Sequence, residues 1–231
     1  SHPKVAHIAF TGGPETARHI VRASAENLAK TSLELGGKSP FIVFDDADLY
    51  SAVNAQVSGI FAATGQSCVA GSRLLVQGTV KDAFLARLTS KADAIVIGAS
   101  DQMTTEIGPL CTARQRDRIV DLIARSVAAG AKVVTGGTVP DGAGFYFPPT
   151  ILDCSDAPDA PCLREEFFGP VLSVVSFETE EQALALANDT AFGLASGIFT
   201  RSLTRAHRMI RGIRAGIVWV NTYRAVSPIA P

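Results

Sequence analysis

Charge of one sign, long apolar runs and cysteine motifs are what this chain has least of, and each shortage removes a class of function. Its 21 Lys and Arg offset 22 Asp and Glu for a net charge of −1, with no block of like charge. Neither a nucleic-acid footprint nor a polybasic membrane surface is expected from that balance. The longest apolar stretches, such as AIVIGA at residues 94–99, fall far short of a bilayer span, and the first residues hold no signal-peptide pattern. No membrane partner is expected, and the predicted compartment is the cytoplasm. Cysteines occur only at 68, 111, 154 and 162, with no CxxC and no scaffold-like density. That fits a reducing compartment and argues against a thiolate metal site. His2, His7, His19 and His207 are scattered, without HExxH or a cysteine at ligand spacing. Asp45, Asp46 and Asp48 have Ser51 where an EF-hand loop needs glycine, and read as caps and first-turn charges of a following helix. No metal is implied. Asn188-Asp189-Thr190 fits a glycosylation sequon, but without a secretory signal it carries no expectation of a glycan.

What the chain does have is a hydrophobic content of 47% over 231 residues, enough to bury one large core or one domain plus part of another. The pattern alternates regularly between strand and helix. HIAF predicts a strand, Thr11 to Gly13 a tight turn, and Pro14 the start of a helix with Ala17, Ile20, Val21 and Leu28 on one face. Such a turn presents backbone N–H groups at a helix N-terminus, where an anion can sit, although no GxGxxG is present. Phe41 to Phe44 predicts a strand, Val53 to Phe61 a helix, Leu74 to Val76 a strand, and Val80 to Ala94 and Ile119 to Gly130 two further helices. KVVTGG and VLSVVSF read as strands; FYFPPTIL reads as an edge or irregular strand because of its proline pair. Thr179 with Gln182 predicts a capping box for the helix EEQALALAND. FGLASGIF is a strand, LTRAHRMIRGIRAG a basic-faced helix closed by Gly216, and IVWVN the last strand. The fold class predicted is α/β, a doubly wound, mostly parallel sheet with helices on both faces.

Chemistry concentrates in GQSCVAGSR, Gly65 to Arg73, where Cys68 sits among small and polar residues between an amphipathic helix and an apolar strand. A thiol there is reachable, whereas an isolated cysteine is more often a small buried hydrophobe; Cys111, Cys154 and Cys162 are read as core or surface thiols without a role. Upstream, LELGGK places Glu34 before the pair Gly36 and Gly37; glycine lets backbone approach a flat ligand closely because no Cβ intervenes. Downstream, EEFFGPV runs from Glu165 to Val171.

These three stretches, with FTGG at residues 10–13, resemble the aldehyde dehydrogenase superfamily, and the resemblance covers nearly the whole chain, through NTYRAVSPIAP. It implies Cys68 as nucleophile and Glu34 as general base. It also implies a cofactor, NAD or NADP, held by Thr11, Gly12, Gly13, Leu35, Gly36, Glu166 and Phe168, with Glu166 on the nicotinamide ribose and Phe168 beside the ring. Most of the family carry serine at the position of Gly13, so a hydroxyl contact to phosphate gives way to backbone N–H alone. A glutamate at position 34 favours a free acid product over acyl transfer to coenzyme A. The resemblance further implies a small aldehyde substrate and a parent protein that is a homodimer or homotetramer.

Set against the family, residues 1–36 correspond to the end of a dinucleotide-binding domain, 37–223 to a catalytic domain, and 224–231 to the start of a C-terminal tail. The family's oxyanion-hole asparagine and adenosine-binding strands lie outside these 231 residues, so the chain by itself is expected to turn over poorly and to self-associate through uncovered apolar surface. Two alternatives stand beside this reading. One is a folded, non-catalytic module with a reactive thiol; the other is cofactor-independent ester hydrolysis by Cys68 and Glu34.

Overall fold

The computed structural model describes residues 2–225; of the expected tail 224–231, residues 226–231 lie outside the described residues. Alternation of exposed and half-buried side chains sets the first strand, β1 (His7–Thr11). Pro14, whose missing N–H costs nothing in a first turn, opens α1 (Pro14–Ser24). Strand β2 (Lys30–Glu34) returns parallel to β1 with Thr11 opposite Glu34, and the two form a small separate sheet.

From Pro40 onward the chain builds a seven-stranded sheet. Its elements are β3 (Pro40–Val43), α2 (Leu49–Phe61), β4 (Arg73–Gln77), α3 (Gly78–Asp93), α4 (Ala113–Ala128), β5 (Lys132–Thr135) and β6 (Thr150–Asp153). After them come β7 (Val171–Phe177), α5 (Glu180–Asn188), β8 (Ala195–Phe199), α6 (Leu203–Gly212) and β9 (Ile217–Val220). The order across the sheet is β5-β6-β7-β4-β3-β8-β9, and only β5 with β6 is antiparallel.

Alternate residues of the central strands feed two cores. Phe41, Val43, Leu74 and Val76 pack with Val53 and Ile60 of α2 and Phe84 and Leu88 of α3. Ile42, Leu75, Val175 and Ile198 pack with Ile119 and Leu122 of α4, Ala183 of α5 and Met209 of α6. Burial of both faces is why these strands read as continuous apolar runs. The predicted sheet with helices on both faces is thus borne out. Among the described residues no helix is long and apolar enough to cross a membrane.

Local signals placed several caps correctly. The Asp48 carboxylate accepts from the N–H of Tyr50 and Ser51 at the start of α2, and Thr179 and Gln182 cap α5 reciprocally. Four expectations need correction, the first being Leu28, which lies beyond the end of α1 at φ 56° and is exposed. Of the three aspartates, only Asp48 caps α2; Asp46 accepts from Thr200 Oγ1 (2.8 Å) and pairs with Arg205 (3.0 Å) at the start of α6. The FYFPPTIL strand is not at an edge: both prolines precede β6, which starts at Thr150 and pairs on both sides, its ladder with β5 interrupted by a register shift between Val133 and Thr135. Helix α6 stops at Gly212 rather than running to Gly216, because Asn188 intervenes from α5. Its Nδ2 donates to the Gly212 carbonyl (2.9 Å) and its Oδ1 accepts from Arg214 N–H (2.8 Å), so the helix end is satisfied from outside.

Candidate active site

LELGGK, GQSCVAGSR and EEFFGPV lead into β3, β4 and β7, and these three strands are neighbours. Parallel strands begin at the same rim of a sheet, so register alone carries the three stretches to one place. Glycines then let them touch. Any side chain on Gly65, which has φ +68°, would collide with the Gly169 carbonyl; one on Gly36 would collide with the Glu166 carboxylate; one on Gly37 would collide with the Cys68 carbonyl. Gly37 N–H also donates to Glu166 Oε1 at 3.0 Å. The five-residue link 35–39 therefore threads between the Cys68 loop and the Glu166 loop.

The Cys68 loop leaves α2 through strained backbone. Ala63 (φ 54°) and Thr64 (φ 55°) both occupy the left-handed region before Gly65 does, a conformation that costs a β-branched residue free energy. Surrounding contacts hold it there: Thr64 Oγ1 donates to Gly108 O (3.2 Å), and Gln66 Oε1 accepts from Cys111 N–H (3.0 Å). Past the thiol, Tyr223 Oη donates to Val69 O (2.9 Å) and Gln56 Nε2 to Gly71 O (2.8 Å). Cys68 itself is half-buried on a turn.

Phe168, in the third stretch, is also left-handed (φ 51°) and partly exposed. Gln115 of α4 secures this turn, its Nε2 donating to the carbonyls of both Phe167 and Phe168. Burial pushes the Glu166 carboxyl above its usual range, opposed by the Gly37 N–H and by the Lys38 ammonium. Lys38 is wholly buried over the Phe167 ring, 4.7 Å from its centroid, and burial lowers its pKa to about 8. Gly36→Ala is expected to turn the flexible Glu166 side chain away and break its bond to Gly37. That predicts about a tenfold weaker dinucleotide affinity, one lost charge-assisted hydrogen bond, with the folded state hardly changed. Equilibrium binding beside a urea melt checks both halves, and unchanged affinity would count against the role given to Glu166.

The remaining candidates sit at the other sheet. Thr11 ends β1, Gly12 N–H donates to the Glu34 carbonyl (3.0 Å), and Gly13 is the N-cap residue of α1 without a side-chain cap bond. The space where a side chain on Gly13 would stand is open, so an anion can approach the helix N-terminus there. Glu34 is exposed at the end of β2, and Leu35 begins the link to Gly36. The structure thus joins the segments of Glu34, Gly36, Glu166 and Cys68. Among the described residues no hydrogen bond joins the Glu34 carboxylate to the Cys68 thiol. Sequence reasoning missed Lys38, Arg73 and Gln115. Arg73 closes the nucleophile stretch itself, yet its role depends on helix α5, and Gln115 lies on an amphipathic helix whose pattern shows only which face is polar.

The family model for the aldehyde dehydrogenase family matches residues 1–231. The chain belongs to the aldehyde dehydrogenase family. It is 66% identical, over all of its 231 residues and 47% of the relative, to (Z)-2-((N-methylformamido)methylene)-5-hydroxybutyrolactone dehydrogenase of Acinetobacter baylyi. To betaine aldehyde dehydrogenase of Sinorhizobium fredii it is 45% identical, over 96% of the chain and 46% of the relative. Among solved structures, betaine aldehyde dehydrogenase of Staphylococcus aureus in complex with NAD+ matches with TM-score 0.95 at 38% identity, covering 100% of this chain and 46% of that one. The chain spans about half the length of the curated relatives it matches. This aldehyde dehydrogenase chain reproduces the relatives' fold throughout that shared half.

Proposed function

We propose that the protein to which this chain belongs oxidises a small aldehyde to its carboxylic acid with NAD or NADP. The observation that carries the reading is the meeting of three motif stretches at one rim of the sheet, across β3, β4 and β7, through contacts only glycine permits. Cys68 is assigned as nucleophile. Its thiolate adds to the aldehyde carbon, and the resulting thiohemiacetal collapses to a thioester on Cys68 as hydride leaves. Bound nicotinamide supplies the hydride acceptor. Glu34, exposed at the end of β2 and leading into the link that touches the Cys68 loop, takes a proton from the water that hydrolyses the thioester.

Cofactor recognition is assigned to the two sheets separately. The N–H group of Gly13 and the first turn of α1 face the diphosphate, with Thr11, Gly12 and Leu35 flanking. Glu166 accepts from the ribose hydroxyls and Phe168 packs beside the nicotinamide. The open space at Gly13 supports the first assignment, and the placement of Glu166 against Gly36 and Gly37 supports the second. In the same reading residues 1–36 complete a dinucleotide-binding domain and 37–223 form the catalytic domain.

The decisive experiment is NAD- and NADP-dependent oxidation of an aldehyde panel, betaine aldehyde included, by the full-length protein and by this 231-residue chain. Turnover by the full-length protein is expected; its absence, together with a Cys68 thiol no more reactive than that of Cys111, would replace this reading with a non-catalytic module. Glu34→Gln in the full-length protein is expected to release one equivalent of reduced cofactor in a burst and then stall, with steady-state kcat down about 100- to 10,000-fold. Stopped-flow absorbance distinguishes the burst from a uniform loss of rate, and a uniform loss would contradict the role of Glu34 in hydrolysis.

A further inference from the structure

Beneath the Glu166–Phe168 turn lies a pair of thiols that the proposed reaction does not use. Cys154 follows the last residue of β6 and Cys162 sits in the short 3₁₀ turn Pro161–Leu163. Both are free and fully buried, and their sulfurs are 3.2 Å apart. The backbone fixes them in that relation. Cys154 N–H donates to Val174 O of β7 (2.8 Å); Cys162 N–H donates to Ser126 Oγ of α4 (3.0 Å), and its carbonyl accepts from Ser173 Oγ (2.9 Å). A disulfide needs its sulfurs about 2.0 Å apart, so an approach of about 1.2 Å from the observed 3.2 Å closes the pair.

We propose that Cys154 and Cys162 are an oxidisable dithiol, a site at which a hydroperoxide converts two buried thiols reversibly to a disulfide. Local electrostatics favour that chemistry. The Lys38 Nζ is buried without a hydrogen-bond partner among the described residues, and Cys162 is the foremost negative group acting on it. The contact with Cys154 chiefly, then the Ser126 and Ser173 hydroxyls and last the Lys38 ammonium, push the Cys162 thiol down against its burial, while the same contact pushes Cys154 up. Cys162 is accordingly the attacking thiolate.

In the first step the Cys162 sulfur attacks one oxygen of hydrogen peroxide and the O–O bond breaks. Cys162 becomes a sulfenic acid, and the departing hydroxide takes up the proton Cys162 had lost, leaving as water. In the second step the Cys154 sulfur attacks the Cys162 sulfur, the S–O bond breaks, and the Cys154 proton leaves with the hydroxyl group as a second water. The two cysteines lose two electrons in all, and the peroxide accepts them. Full burial selects a small oxidant and keeps bulky disulfides out. Closing the bond also removes the negative partner of Lys38, whose next acidic neighbour is Glu166.

Trypsin makes the test clean, because Lys132 and Arg164 bracket both cysteines in one peptide, Val133–Arg164, free of Cys68 and Cys111. The folded full-length protein is treated with hydrogen peroxide, unfolded in N-ethylmaleimide without reductant, digested and weighed. The expected result is a Val133–Arg164 peptide carrying no label and lighter by two hydrogens, which takes two labels after a thiol reductant. In Cys154→Ser, which lacks the resolving thiol, unfolding in dimedone after the peroxide step is expected to trap a sulfenic acid on Cys162. Two labels on Val133–Arg164 at a peroxide dose that already oxidises the exposed Cys111, or oxygen added to Cys162 without a bridge, would overturn the proposal. None of these readouts requires aldehyde oxidation, so the proposal stands or falls apart from the proposed function.

Discussion

Exchanging Cys68 for serine in the full-length protein is expected to lower kcat for aldehyde oxidation about 10,000-fold or more while leaving dinucleotide affinity unchanged. A serine hydroxyl keeps its proton at neutral pH, where a thiol supplies a fraction of anion that is intrinsically more nucleophilic. The loop offers no compensation. Its hydrogen bonds use the Gln66 side chain and the carbonyls of Val69 and Gly71, and among the described residues none reaches the Cys68 side chain. Sulfur and oxygen differ little in size on a half-buried turn, so a urea midpoint close to wild type is expected, which separates lost chemistry from lost folding. Steady-state rates beside an equilibrium dinucleotide titration make the comparison. Retention of most of the activity would remove Cys68 from the mechanism, whereas loss of affinity together with rate would make its role one of packing.

The same loop shows where reading the sequence succeeds and where it stops. Each of the three motif stretches was legible as a break in an apolar run, since glycines and short polar residues interrupt strands visibly. Their meeting point was not, because it depends on β7 inserting beside β4 after two helices and two other strands have intervened. Elements were legible where a local force sets them. The Thr179–Gln182 capping box and Pro14 at the head of α1 act within one turn, and the structure has both. Elements ending on a distant partner were misread, as in α6, closed by Asn188 from α5, and Asp46, claimed by α6 rather than α2. β6 was misread for a different reason: a proline pair just ahead of a strand looks, in sequence, like a proline pair within it. Strain was invisible as well. Nothing in the letters of Ala63, Thr64 or Phe168 announces a positive φ, and all three flank the candidate chemistry. Such conformations persist only where surrounding contacts outweigh their cost, and here those contacts come from Gly108 and from Gln115 of α4.

Arg73→Met is expected to be the most damaging single change to the fold near the site, costing about 3 kcal/mol or more, at least about 1 kcal/mol for each of three carbonyls that lose their donor. Arg73 is 3% exposed, and its guanidinium is used entirely on backbone. Nε donates to Lys38 O (2.9 Å), and the two terminal nitrogens donate to Leu186 O and Ala187 O (2.8 Å each), carbonyls in the last turn of α5. A cation there answers the negative end of the helix dipole while filling three acceptors at once. Burial is the main reason its pKa falls to about 10, so the group remains charged at neutral pH. Methionine fills much of the same volume but leaves three carbonyls without their donor. Arg73→Lys is expected to recover only part of the loss, since one ammonium cannot span carbonyls set for a planar fork. Urea unfolding of the full-length protein and both variants gives the ranking directly, wild type above Arg73→Lys above Arg73→Met. Equal midpoints would show that the α5 carbonyls find other donors. Because Lys38 O is one of the three, loosening Arg73 also frees the backbone directly after Gly37. Arg73→Lys is therefore expected to raise the dinucleotide KM before it lowers kcat, joining the C-terminal end of α5 to the glycine link on which the site is built.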